Sequence, residues 1–272
     1  MDRLSKDVLF NIATMLDLDN LLSFCNSEPR INRLVCQDRT IWLFKLVKEF
    51  PDWKQLNMEP RQSYELLIGL TKLKKEFKYQ KSIYELYKET KIDLSHKKLE
   101  ILPPEIGKLS NLQYLWLNNN QIEILPPEIG NLSNLRELDL RDNQISILPP
   151  EIGNLKQLRQ LYLYNNEITT LPSEIGNLSN LRKLFLHDNK IQILPPEIGN
   201  LSNLEVLSLF KNKIEIIPSE IGNLSQLLQL YLYNNQITSL PSEIGNLSKL
   251  QVLILDKNVI IPPGLKFPIM YY

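Results

Sequence analysis

Side chains able to do nucleophilic, acid–base or metal chemistry are sparse in this 272-residue sequence, which has two histidines, His96 and His187, and two cysteines, Cys25 and Cys36. Neither cysteine stands near a histidine in sequence, so no nucleophile–base pair and no cluster of metal ligands is spelled out. Catalysis, a bound metal and a cofactor are therefore not expected. Seven of the nine glycines occupy one recurring position, Gly107 through Gly245, which makes them part of a repeat rather than a phosphate cradle. The chemistry that does have a pattern is recognition by aromatic rings. Between residues 112 and 249 the rings are Tyr114, Trp116, Tyr162, Tyr164, Phe185, Phe210, Tyr231 and Tyr233, all at equivalent places in successive copies of one motif.

That motif is what must position them. Leu112, Leu135, Leu158, Leu181, Leu204, Leu227 and Leu250 are 23 residues apart, and six full copies run from 112 to 249, each close to LxxLxLxxNxIxxLPxEIGNLxx. A partial copy with Ile92, Leu94, Leu99 and Leu102 precedes them, and Lys97 stands there in place of the motif's Asn. A degenerate copy follows from Leu250, with Phe267 and Met270 expected on the apolar columns. Leu115 and Leu117 alternate with Tyr114 and Trp116, the period of two that marks a short strand with one buried face. Leu112, Ile122, Leu125, Ile129 and Leu132 complete seven apolar positions that a single copy cannot bury, so the copies must stack. Asn120 and its equivalents fall where the chain leaves the strand, and once buried they must hydrogen-bond the backbone of neighbouring turns. Pro126 followed by Glu-Ile-Gly suits a tight return, with Gly130 expected at positive φ.

The copy LQYLWLNNNQIEILPPEIGNLSN resembles the leucine-rich repeats, most closely the short LPxEIGNL subclass of intracellular receptors. The resemblance implies an α/β solenoid over residues 89–272, a horseshoe of 23-residue repeats. Parallel strands would line its concave face, with short turns or 3-10 segments on the convex one. Each copy turns three strand positions outward, eighteen in all, and eight of those hold rings while none of the other 120 positions does. Aromatic residues favour strands, but that preference does not confine them to one contiguous outward row. The expected partner-binding face is therefore Tyr114, Trp116, Tyr162, Tyr164, Phe185, His187, Phe210, Tyr231 and Tyr233. Trp116 and Tyr231 are five strands apart, roughly 24 Å, a span for a protein surface or helix rather than a metabolite. Nucleic acid needs a basic groove, whereas Arg141, Lys183 and His187 share this face with Glu137 and Asp139.

Residues 1–88 have no repeat and read as helices. Ser5 caps a helix with Val8, Leu9, Ile12, Met15 and Leu16 on its apolar face. A second carries Leu21, Leu22 and Phe24, a third begins at Pro29 with Ile31, Leu34 and Val35, and a fourth carries Ile41, Trp42 and Leu46. Residues 47–88 form a helical connector, with Pro60 opening a helix that bears Tyr64, Leu67, Leu70 and Phe77. The stretch LSKDVLFNIATMLDLDNLLSFCNSEPRINRLVCQDRTIWLFKL resembles an F-box over residues 4–46, although Ser5 replaces the usual Pro and Asn20 a common Asp. By that resemblance residues 1–46 are an F-box-like domain. Leu4, Leu9, Ile12, Leu16, Leu21 and Trp42 then match positions that build or present the surface for the adaptor of an SCF-type cullin–RING ubiquitin ligase. The chain would be the ligase's substrate-recognition subunit, the head docking the adaptor and the repeats holding a protein target. The alternative is an interaction module whose head only caps the solenoid.

Equal numbers of Lys+Arg and Asp+Glu, 31 each, give no field to attract nucleic acid or an anionic membrane. No run of about eighteen apolar residues exists to span a bilayer. A charged N-terminus and repeats without cysteine fit a reducing, intracellular compartment, cytoplasmic or nuclear. The five Asn-Leu-Ser sequons from Asn131 to Asn246 recur because the repeat recurs.

Overall fold

A computed structural model describes residues 5–27, 29–37, 39–56, 58–265 and 267–272. The chain divides into two compact units, Met1–Ile83 and Tyr84–Tyr272.

In the first unit, helix α1 (Lys6–Met15) starts at Ser5, whose hydroxyl accepts from the Val8 amide, and α2 (Leu18–Asn26) starts at Asp17, which accepts from Asn20. Pro29 opens the short α3 (Pro29–Ile31), where its missing N–H is no loss, and a π turn over Asn32–Cys36 follows. Helix α4 (Arg39–Glu49) and the longer α5 (Pro60–Glu76) complete the unit. Leu9, Ala13, Leu21, Ile31, Val35, Trp42 and Leu46 are buried with Tyr64, Leu67 and Leu70 of α5. The side chain of Leu34, placed by the sequence on the same face, lies outside those described. Phe77 ends α5 only half-buried. Lys45 is also buried, its ammonium donating to the Leu16 carbonyl at 2.5 Å and lying 3.6 Å from Glu49. The two cysteines are not the free thiols expected of a reducing compartment. Cys25 and Cys36 form a disulfide across 5.7 Å between Cα atoms, because α2 and the π turn pack against each other.

The boundary falls after the first residue of α6 (Ile83–Lys88), and the second unit continues from that helix as the repeat. Among the described residues it holds nine parallel strands in sequence order. They are β1 (Lys91–Asp93), β2 (Tyr114–Trp116), β3 (Glu137–Asp139), β4 (Gln160–Tyr162), β5 (Lys183–Phe185), β6 (Val206–Ser208), β7 (Gln229–Tyr231), β8 (Val252–Leu255) and β9 (Ile269–Tyr271). Each is three or four residues long, and 3-10 turns such as Pro127–Asn131 form the opposite wall. From β1 to β8 the register repeats the sequence period: Leu115 pairs with Leu138, then Leu161, Leu184, Leu207 and Leu230. The core is thus stacked rows of the seven Leu/Ile positions, almost all fully buried. At roughly 1.5–3 kcal/mol each, their burial offsets the entropy of ordering the chain.

The Asn columns behave as their burial demands. Asn166 donates to the carbonyls of Leu140, Leu163 and Tyr164 and accepts from the Ile145 amide at 3.0 Å, tying three turns together. Two details differ from expectation. Gly130 is not at positive φ; its place is required because a Cβ there would lie 2.5 Å from the Glu151 carbonyl oxygen of the next copy. Positive φ falls instead one residue before each ladder Asn, at Asn119, Asp142, Asn165, Asp188, Lys211 and Asn234. Met270 is exposed rather than in a core column, because β9 pairs with its Ile269 opposite Leu253 and its Met270 opposite outward-facing Ile254. Phe267 is half-buried.

Candidate binding surface on the concave sheet

Parallel strands in register stand about 4.8 Å apart, so the same outward position in successive copies builds a column of side chains in van der Waals contact. The third outward position carries Tyr164, His187, Phe210 and Tyr233. Their rings stack at centroid distances of 4.3, 4.3 and 4.6 Å, with planes within 14° of parallel. Arg141 closes one end, its guanidinium over Tyr164 and donating to the phenol oxygen at 2.8 Å. Tyr272 closes the other, stacked on Tyr233 at 4.5 Å. The sequence pattern missed Tyr272, since only the pairing of β9 with β8 returns it to the column.

The second outward position is less continuous. Tyr162 and Phe185 stack at 5.1 Å, then Ser208 interrupts, and Tyr231 and Ile254 follow. Tyr162 and Tyr231 donate to Gln160 and Gln229 of their own strands, which fixes both rings. Around the gap at Ser208 lies a recess of about 340 Å³ walled by Phe185, Phe210, Tyr231, Tyr233 and Ile254. A second recess, about 450 Å³ and polar, is lined by Asp93, Trp116, Glu137, Asp139, Arg141 and Tyr162. Trp116 donates to Glu137 at 2.8 Å, and Lys91 lies 4.8 Å from the centre of the Tyr114 ring. Tyr114 and Trp116 are in contact but tilted, apart from the main stack.

Charge in this surface is internally balanced. Asp139 is buried, which raises its pKa by desolvation, and the Arg141 amide and guanidinium at 3.2 and 3.3 Å oppose the rise. His187 sits between two rings with Nδ1 3.1 Å from the Ser208 hydroxyl, and burial lowers its pKa. A neutral imidazole stacks as one more flat ring. His96 lies apart in an exposed turn at positive φ. Among the described residues no group of three His, Cys, Asp or Glu is placed to hold a metal ion.

The residues matched to an adaptor surface separate in the first unit. Leu9, Leu21 and Trp42 are in its core, Leu16 is half-buried, Ile12 is exposed, and Leu4 lies outside the described residues. What α1 exposes is a stripe one position away from its buried face: Val8, Ile12 and Met15. Phe44 and Val47 of α4 are exposed too, and Phe44 shares with Met15 a recess of about 670 Å³ that Lys45, Lys48 and Lys72 rim.

The model of the family described as a leucine-rich repeat region matches residues 91–188, 127–215 and 197–266, well over half of the chain. Among solved structures, the ectodomain of the plant membrane receptor kinase GASSHO1/SCHENGEN3 from Arabidopsis thaliana, in complex with CASPARIAN STRIP INTEGRITY FACTOR 2, is 37% identical at a TM-score of 0.53. That match covers 59% of this chain and 20% of the receptor's. The plant peptide hormone receptor RGFR1, in complex with RGF2, is 32% identical at a TM-score of 0.52, over 67% of this chain and 32% of its own. A leucine-rich-repeat protein of Leptospira interrogans is 30% identical at a TM-score of 0.48, over 70% and 71%. The chain thus spans a third or less of the two plant receptors. No curated protein matches it.

Proposed function

The chain belongs to the leucine-rich-repeat proteins, and from that premise we propose that its concave sheet is a receptor for a protein segment. The observation that carries this is the unbroken stack from Arg141 through Tyr164, His187, Phe210 and Tyr233 to Tyr272. Rings locked in register are already ordered before a partner arrives, so little side-chain entropy is lost on binding. The recess beside them accepts an apolar side chain, while Glu137, Asp139 and Arg141 offer donors and acceptors at one end. Both plant receptors above are in complex with a ligand, which supports the same use of the repeats here.

We further propose that the first unit docks the adaptor of a cullin–RING ubiquitin ligase, making the chain a subunit that presents its target for ubiquitination. Supporting this are the F-box-like residues 4–46 and the exposed apolar stripe Val8, Ile12 and Met15 with Phe44 and Val47. The chain then contributes position rather than chemistry, raising the target's effective concentration at the ubiquitin donor.

Two experiments separate these readings. Truncating Tyr162, Phe185 and Tyr231 to Ala removes rings that point away from the core. Each loss is expected to weaken target capture by about ten- to a hundredfold at unchanged thermal stability, while Glu151→Ala on the opposite wall changes little. An identical set of captured proteins would move the binding face elsewhere. For the head, size-exclusion chromatography with a purified adaptor–cullin pair should give a complex that Ile12→Asp with Met15→Asp abolishes; failure of the intact chain to co-elute would leave the head as a cap.

A further inference from the structure

A second surface of the repeat unit is apolar, exposed and not used by the concave site. On the limb between the Asn ladder and the 3-10 turns, the residue before each buried Leu or Ile forms a column. It runs Ile101, Ile124, Ile147, Thr170, Ile193, Ile216, Ser239 and Ile260, held in register by bridges such as Ile124 with Ile147 and Ile193 with Ile216. The six isoleucines are 67–75% exposed. The backbone of this limb prefers β-branched residues, but Thr170 meets that preference with a hydroxyl, and Ser239 shows that a small polar side chain fits as well. The fold therefore does not demand the apolar side chains. At on the order of 100 Å² apiece when fully exposed, six such side chains present roughly 400 Å² of apolar surface along a ridge roughly 34 Å long.

We infer that this ridge is where a second copy of the chain packs, antiparallel, through a two-fold contact. The isoleucines supply about half of the roughly 800 Å² per partner that a stable interface needs, and side chains beside the ridge can supply the rest. A row of mostly isoleucine side chains at one regular spacing, with Thr170 and Ser239 as its two small polar places, is complemented by another row at the same spacing, which a second copy provides; about an axis between Thr170 and Ile193, Ile147 meets Ile216 and Ile124 fits over Ser239. Charge is compatible with the antiparallel direction. The exposed residues just before the column are Glu100, Glu123, Ser146, Thr169, Gln192, Glu215 and Thr238. An antiparallel pairing about an axis between Thr170 and Ile193 sets Glu123 against Thr238 and Glu215 against Ser146, with no carboxylate opposed. A formal net charge of zero adds no long-range repulsion between copies.

Sedimentation velocity on the full chain between about 1 and 100 µM reads the outcome, a range that covers weak and standard-size interfaces. The wild type is expected to shift from monomer to dimer, and Ile147→Glu with Ile193→Glu to remain monomeric with an unchanged melting curve. A wild type that stays monomeric throughout, or a dimer that survives the double substitution, overturns the inference. Direction is read by oxidising mixtures of variants that each carry one added cysteine beside the Cys25–Cys36 bridge: Ser146→Cys should cross-link with Glu215→Cys and not with itself. Self-linking of Ser146→Cys would overturn the antiparallel arrangement. Concave-face variants such as Tyr162→Ala should not change the dimer, which keeps this test independent of the binding role.

Discussion

Single residues hold the solenoid by two different means, and each gives a measurable consequence. Asn166 is a polar group that the core cannot spare: its removal leaves the Ile145 amide without its partner and takes one of two Asn donors from each of the Leu140 and Leu163 carbonyls, which keep those of Asn143 and Asn189. Asn166→Ala should lower stability by about 1–3 kcal/mol, read as a drop in the midpoint of a denaturant titration with its slope unchanged. Gly153 holds its place by contact. A Cβ there would sit 2.4 Å from the Glu174 carbonyl oxygen, whereas at Gly245, where the next copy is degenerate, the nearest atom is the flexible end of Leu265 at 3.5 Å. Gly153→Ala is therefore expected to cost about 1–3 kcal/mol and Gly245→Ala almost nothing. Equal effects at the two sites would mean that close packing of turn on turn is not what selects glycine. Both residues read in the sequence as one repeated turn signal; their inequality is visible only when the facing copy is in place.

The elements matter through register more than through length. Three-residue strands have little stability singly, and the concave stack exists because strands pair in parallel with a constant offset of one repeat. His187 reports on that stack. Burial holds its folded pKa below the ordinary 6.5, with Lys211 pushing the same way and Asp188 and Asp142 opposing. The unfolded chain thus binds the proton more tightly, and stability rises with pH between the depressed value and 6.5. The contribution is fully present above 6.5 and is lost as pH falls through that window. Replacing His187 by Phe, which keeps the ring stack without the titration, should flatten this part of a melting-temperature profile; an unaltered slope would place the titrating group elsewhere. Asp139 works in the opposite sense, its raised pKa making neutral pH the less favourable side.

At the scale of the whole molecule the two units rest on different physics. Tyr84–Tyr272 is held by neighbour-to-neighbour stacking. Met1–Ile83 is a small helical core in which a disulfide supplements limited apolar burial, and buried Lys45 is offset by the Leu16 carbonyl and Glu49. The Cys25–Cys36 bridge closes a sequence separation of 11 residues, which in the chain-entropy picture stabilises by about 2–3 kcal/mol. Reductant should lower the melting of the head's helical signal and leave the repeat transition where it was. Intact-mass measurement under non-reducing conditions checks the bridge directly, and two titratable thiols in the native chain would exclude it. No helix among the described residues is long and apolar enough to cross a membrane.

The sequence by itself determined the solenoid, its period, its seven core columns, the Asn ladder and the outward placement of the rings, because each follows from local periodicity repeated many times. Tertiary structure decided what depends on a neighbour. It joined Tyr272 to the stack, explained Gly130 by close approach rather than by φ, and moved Met270 to the surface through the register of β9. It paired Cys25 with Cys36 across α2 and the π turn, a contact that spacing does not encode. In the head it put Leu9, Leu21 and Trp42 inside and left Val8 and Met15 outside. The isoleucines at 101, 124, 147, 193, 216 and 260 fall outside the seven apolar columns of the repeat, and the structure leaves them exposed beside the core. Apolar residues next to one another in sequence are read as buried together, but an extended backbone turns consecutive side chains to opposite sides, and only the stacked neighbour fixes which side is the interior.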